Sequence, residues 1–187
     1  KNMVSGNFWQ GLRVEWERLK DKGKIDEEYV MTAENLETLG EILDYLENPN
    51  PKTEILEVLQ KLFLLQVTNV ELINNISHRE FVKTAKSLEP NDSMMLFFLF
   101  KHFNGKDYNN SEILRSDKLF YDYLKNNGGF KFKNIVKSIM NNLIKLDLIA
   151  KSEFTSTLYN KFSFTEYGKA FMEYVEHYDN LLEENPA

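Results

Sequence analysis

The sequence predicts a mainly α protein: an N-terminal helical part built on a helical hairpin, then a C-terminal winged helix with a short β-hairpin. Three observations carry this. Proline (4) and glycine (8) are scarce among 187 residues, which favours long helices over many short strands. Apolar residues recur at spacings of three and four through most of the chain, the period of a half-buried helix. That period breaks after Leu148-Ile149 into aromatic and Ser/Thr-rich alternation, then resumes.

Phe8, Leu12, Trp16 and Leu19 form the first stripe, and Gly23 is placed to end it. Trp9 lies one step round from Phe8, off that stripe, and is a candidate partner contact. Leu36, Leu39, Ile42, Leu43 and Leu46 form a second stripe that stops before Asn48-Pro49-Asn50-Pro51. Asn50 reads as an N-cap with Pro51 at the first helical position. Ile55, Leu56, Leu59, Leu62 and Phe63 follow as a third stripe. Two amphipathic helices joined by a short loop predict an antiparallel hairpin. Residues 67–76 are of mixed polarity. Phe81, Val82, Ala85 and Leu88 mark a short helix ending before Pro90, with His78 after Ser77 packing or capping its start. The boundary set there gives a helical part, 1–89, and a winged-helix-like part, 90–187. No Ser/Gly stretch follows, so the two meet at a hinge.

Asn91 or Asp92 reads as the cap of the next helix, 94–103, which is apolar almost all round and therefore central. Ile113, Leu114, Leu119, Phe120, Tyr123 and Leu124 describe one or two further helices before Asn126-Asn127-Gly128-Gly129. A helix over roughly 132–146 buries Ile135, Val136, Ile139, Met140, Leu143, Ile144 and Leu146. Lys133, Lys137, Asn141 and Lys145 lie four apart on its other side. Residues 151–154 and 158–164 read as two strands with a turn near Ser156. Thr165 then caps a final helix, with Glu166 in its first turn and Phe171, Met172 and Val175 on its buried side.

Composition removes several chemistries. Cysteine is absent, which excludes disulfides, zinc ribbons and thiol catalysis. His78, His102 and His177 are far apart, and none forms a His-x-x-x-His or Glu-x-x-His pair. Asp26-Glu27-Glu28, Glu183-Glu184 and the set Glu34, Glu37, Glu41 read as solvated helix faces and ends, not as an acid–base pair in a shared cleft. The glycine patterns of phosphate loops and nucleophile elbows do not occur. No catalytic residue, metal ligand or cofactor is therefore assigned. No run approaches the roughly 20 apolar residues of a membrane helix, so the expectation is a cytoplasmic protein with no membrane partner.

Charge is uneven. Residues 1–89 hold 11 Lys/Arg against 16 Asp/Glu, and 90–187 hold 12 against 13. The acidic half favours a protein partner or self-association over nucleic acid. Between 125 and 151, six lysines face only Asp147. In a winged helix the 132–146 helix commonly enters the major groove of double-stranded DNA. Lys133, Lys137, Asn141 and Lys145 would then be on the exposed face, with Asn134, Ser138 and Asn142 beside them. Lys151 and Lys161 would add phosphate contacts from the wing. Arginine, the better bidentate reader, is missing from this face. The aromatics Phe120, Tyr121, Tyr123, Phe130 and Phe132 read mainly as core, not as a base-stacking platform.

Two stretches carry a family resemblance. His78-Arg79-Glu80-Phe81-Val82, Leu88-Glu89-Pro90-Asn91-Asp92 and Met95-Leu96 resemble a central signature of the Abi-alpha-like bacterial family, associated with abortive infection of phage. Leu143-Ile144-Lys145-Leu146-Asp147-Leu148-Ile149 with Phe164-Thr165-Glu166-Tyr167-Gly168-Lys169-Ala170-Phe171 is similar to that family's closing pattern, which many winged helices share. The resemblance spans roughly 36–175. Arg79 stands where the family often has Pro, and Asp147 where Gly is usual. It implies association with phage defence and brings no catalytic residues. The leading expectation is a non-enzymatic interaction or regulatory module with the winged helix as a docking platform. The alternative is a DNA-binding regulator using the basic face of the 132–146 helix.

Overall fold

The structure, a computed structural model, describes residues 3–68, 77–103, 108–109, 132–152 and 161–183. Among these the chain is mainly helical. In order it forms α1 (Met3–Asp21), α2 (Glu27–Val30), α3 (Ala33–Leu46), α4 (Thr53–Val67), α5 (His78–Lys86), α6 (Pro90–Phe103), β1 (Tyr108–Asn109), α7 (Phe132–Lys145), β2 (Ile149–Ser152), β3 (Lys161–Phe164) and α8 (Glu166–Glu183). Two compact units result: Lys1–Pro90 with Ala170–Ala187, and Asn91–Lys169.

In the first unit each helix end has a chemical cause. Gly23 closes α1 at φ +64. Its N–H reaches the Lys20 carbonyl at 2.9 Å, and that of Lys24 reaches Leu19 at 3.0 Å, both bonds of a Schellman cap. Asp26 caps α2 by accepting from the N–H groups of Glu28 and Tyr29. Thr32 caps α3 by accepting from Asn35. Helix α4 begins at Thr53 with Lys52 as N-cap, two residues later than Asn50 and Pro51 suggest. Ser77 and Glu80 form a reciprocal capping box at the start of α5.

Helix α4 is the centre of this unit. Ile55, Leu59, Leu62, Leu64 and Leu65 are almost wholly buried, and α1, α2, α3 and α5 all pack on it. From α8, Phe171, Tyr174 and Val175 are buried as well. The Phe81 ring meets Phe171 edge-on at 5.6 Å and lies 5.3 Å from Tyr174. Lys61 and Asp179 pair at 2.8 Å. This packing explains why residues from Ala170 onward group with the N-terminal helices, although sequence reading placed 90–187 together.

Helix α6, which belongs to the second unit from Asn91 onward, starts at Pro90, ahead of the Asn91 or Asp92 cap read from sequence. A first-turn proline gives up no intrahelical bond. Strands β2 and β3 pair antiparallel with Ile149 opposite Phe164 and Lys151 opposite Phe162. Tyr108 of β1 pairs with Phe162 from the other side, so the strand order is β1-β3-β2. The hairpin strands are thus 149–152 and 161–164. The turn near Ser156 and the helix or helices read over 113–124 lie outside the described residues.

Helix α7 ends in a second Schellman cap. The Leu148 N–H donates to the Leu143 carbonyl and that of Asp147 to Ile144, both at 3.0 Å. Asp147 takes the left-handed conformation this requires, φ 57. Thr165 joins this corner to the start of α8. Its hydroxyl donates to the Asp147 carbonyl and accepts from the Gly168 N–H at 2.8 Å. A Cβ on Gly168 would stand 1.9 Å from the Leu148 carbonyl oxygen, so only glycine fits.

Candidate functional site

The basic face read from sequence is present where described. Lys137, Asn141 and Lys145 are all exposed on α7, with Ser138 beside them, and Lys151 is exposed on β2. Ile144, expected in the core, is 37% exposed and shares the outer face with Lys137 and Asn141. The side chains of Lys133, Asn134 and Lys161 lie outside the described set. Asn142 departs from the expectation. Its amide donates to the Asp92 carboxylate at 2.5 Å, so it is held within the unit. Counted by unit, Asn91–Lys169 carries 12 Lys/Arg against 8 Asp/Glu, a net of +4, and the other unit carries 11 against 21, a net of −10. The chain is far more polarised than its overall −6 suggests.

The largest departure from the sequence reading is on α3. The expected buried stripe included Leu36 and Leu43. In the structure they are 53% and 40% exposed, and Met31, just ahead of the helix, is 75% exposed. The buried face is instead Asn35, Thr38, Ile42, Tyr45 and Leu46. The cause is a polar layer under the helix. The Gln66 amide of α4 donates to the Thr38 hydroxyl at 3.2 Å, and Thr38 donates to the Glu34 carbonyl at 2.9 Å. The Asn35 amide donates to the Val30 carbonyl at 2.7 Å, and the Tyr29 hydroxyl donates to the Glu34 carboxylate at 3.0 Å. Losing such a donor bond would cost a buried amide or hydroxyl about 1–3 kcal/mol, and the Asn35 and Gln66 amide oxygens already accept no bond among the described residues. Asn35 and Thr38 are thereby held inward, and the Leu36 side of the helix is turned to solvent.

Next to this layer, His78 is 4% exposed and shares a 2.5 Å hydrogen bond with the Tyr174 hydroxyl through Nδ1. Burial pushes the imidazole down to about 4 and the Tyr174 phenol well up. Both are neutral near pH 7. Glu41, on the flank of α3, is held below the usual carboxylate range, chiefly by the Lys86 ammonium at 2.7 Å and also by Arg79. Arg79 bridges Glu41 and Glu37. These contacts join α5 to α3.

Two open grooves run along α1 and α4. One, of about 390 Å³, is lined by Asn7, Gln10, Gly11, Val14, Glu15 and Gln60, and the other, of about 220 Å³, by Asn7, Phe8, Thr53, Leu56, Glu57 and Gln60. Glu15 accepts from the Tyr178 hydroxyl at 2.9 Å, and its role there is structural. Trp9 is exposed on α1, as its position off the stripe suggests. Among the described residues no cluster of three metal-binding side chains occurs, and no helix is long and apolar enough to cross a membrane. Comparison with protein-family models, curated proteins and solved structures finds no match to this chain.

Proposed function

We propose that the protein is a non-enzymatic interaction module that docks a protein partner on the outer face of α3. The observation that carries the reading is the exposure of Leu36, Leu43 and Met31 in one region of the acidic unit. Fully burying an exposed Leu or Met side chain is worth roughly 1.5–3 kcal/mol, and docking would recover the share of it that each residue's remaining exposure leaves. A cytoplasmic role in phage defence, as the Abi-alpha-like resemblance implies, is the biological setting we propose. Affinity enrichment from cells, comparing wild type with Leu36→Glu/Leu43→Glu, tests the docking reading. A partner retained by wild type and lost by the variant supports it. A partner set indifferent to the substitution contradicts it.

We further propose that unit 91–169 has winged-helix architecture. Its α7, the antiparallel pair β2 and β3 and the order β1-β3-β2 support this reading. In this setting the exposure of Lys137, Asn141, Lys145 and Lys151 favours a second reading, a DNA-binding regulator in which α7 enters the major groove. Fluorescence anisotropy on labelled duplex DNA separates the two. Salt-sensitive binding lost in Lys133→Glu/Lys137→Glu/Lys145→Glu supports the regulator. No binding at low salt leaves the interaction module.

A further inference from the structure

We infer that the partner received by α3 is a basic amphipathic helix, with an apolar stripe bordered by Lys or Arg; this rests on the docking reading above and adds the chemistry of the occupant. At 100° per residue, Leu36, Gly40, Leu43 and Glu47 lie on one face, with Leu39 at its edge and Glu37 and Asp44 along its other side. Every ionisable side chain from Ala33 to Glu47, the tyrosine aside, is acidic: Glu34, Glu37, Glu41, Asp44 and Glu47. Arg79 and Lys86 answer Glu37 and Glu41. Asp44 and Glu47 stand exposed at the C-terminal end. The helix dipole is already negative there, and no basic side chain occupies the last turn. Negative potential therefore accumulates beside the apolar stripe. A second α3 would bring the same charges against it, in a unit of net −10, and would be repelled. A cationic helix is attracted by the same field.

Gly40 gives an independent reason for a close-packed helix. It sits inside α3 in the middle of the stripe, and a Cβ built there meets nothing within 4 Å. Interior glycine costs about 1 kcal/mol relative to alanine, and among the described residues no contact requires it. A missing side chain at the centre of an apolar face lets a crossing helix approach more closely.

The test uses the full chain and three labelled synthetic helices with one shared leucine stripe, flanked by Lys, Gln or Glu. The Leu/Lys peptide is expected to bind saturably, the Leu/Glu peptide not at all. Leu36→Glu/Leu43→Glu should weaken Leu/Lys binding by about tenfold or more. Gly40→Ala should weaken it while raising the unfolding midpoint, a pairing that a purely structural role for this glycine would not give. Equal binding of the Leu/Gln peptide, lost in the double variant, would overturn the basic partner and keep the docking face. Leu/Lys binding indifferent to both variants, or no binding by any peptide, would overturn both. A wild-type dimer in sedimentation, abolished by the double variant, would assign the face to a second copy and overturn the proposal.

Discussion

Gly168 lies so close to Leu148 that any Cβ on it would enter the Leu148 carbonyl, 1.9 Å from the oxygen. The approach brings the first turn of α8 onto the corner after α7. Thr165 holds it there, since its backbone N–H also reaches the Leu148 carbonyl at 3.2 Å. Gly168→Ala should therefore cost about 3 kcal/mol or more, because the clash is with backbone and no rotamer relieves it. Gly6→Ala, where a Cβ meets nothing within 4 Å, is the control. Urea unfolding should show a large loss for the first and none for the second.

Asp147 occupies the left-handed position of the same corner. An L-residue there costs on the order of 1 kcal/mol, less for Asp than for a branched side chain. Its carboxylate also stands at the negative end of α7. Asp147→Gly should raise stability by about 0.5–1 kcal/mol, and Asp147→Val should lower it by a similar amount or more. The Schellman bonds and the Thr165 contact use only the Asp147 backbone, so the glycine variant keeps them. Denaturant midpoints of the three proteins give the order Gly, Asp, Val if the account is right.

His78 sets an acid limit. Its pKa falls to about 4 in the folded chain, below the ordinary histidine value of roughly 6.5. The unfolded chain then binds the extra proton first. The contribution of the neutral, buried imidazole is complete above about pH 6.5 and is lost progressively as pH falls toward 4. The total is on the order of 3 kcal/mol. His78→Gln should be less stable than wild type at pH 7.5, because the bond to the Tyr174 hydroxyl is disturbed. Its stability should change much less between pH 6.5 and 4.5. Equal slopes for both proteins would contradict the assignment.

Glu41 adds a second, lower window. Lys86 and Arg79 depress its pKa, so its contribution is present above the ordinary carboxylate range and disappears as pH falls through and below it. With the Glu41 side chain 16% exposed and Lys86 21%, Glu41→Gln should cost about 1–2 kcal/mol at pH 7. The difference from wild type should shrink as pH falls through and below the ordinary carboxylate range. Parallel pH titrations of unfolding free energy check this.

The stripes of α1, α4 and α5 were legible because each buries its apolar side, and Gly23 and Thr165 announced their caps through residue type alone. Helix α3 was not legible in the same way. Leu36, Leu39 and Leu43 share one face, and Ile42, Tyr45 and Leu46 another. Periodicity reports both as apolar without saying which meets the chain's own core. The answer lies in Thr38 and Gln66, whose hydrogen bond joins positions 28 apart in sequence. His78 and Tyr174, 96 apart, were equally hidden, since a lone histidine after a serine gives no sign of a distant phenol. The exposure of Lys137, Asn141 and Lys145 on α7 was readable from their spacing of four. The tie of Asn142 to Asp92 was not, because it depends on how α6 and α7 meet.

The central claim is that the outer face of α3 belongs to something outside this chain. The most direct measurement is the unfolding free energy of Leu36→Glu/Leu43→Glu against wild type. If the face is free surface, the two should agree within about 1 kcal/mol, as surface substitutions do. A loss of about 4 kcal/mol or more, the scale of charges forced into a core, would place Leu36 and Leu43 inside the protein's own packing and contradict the account.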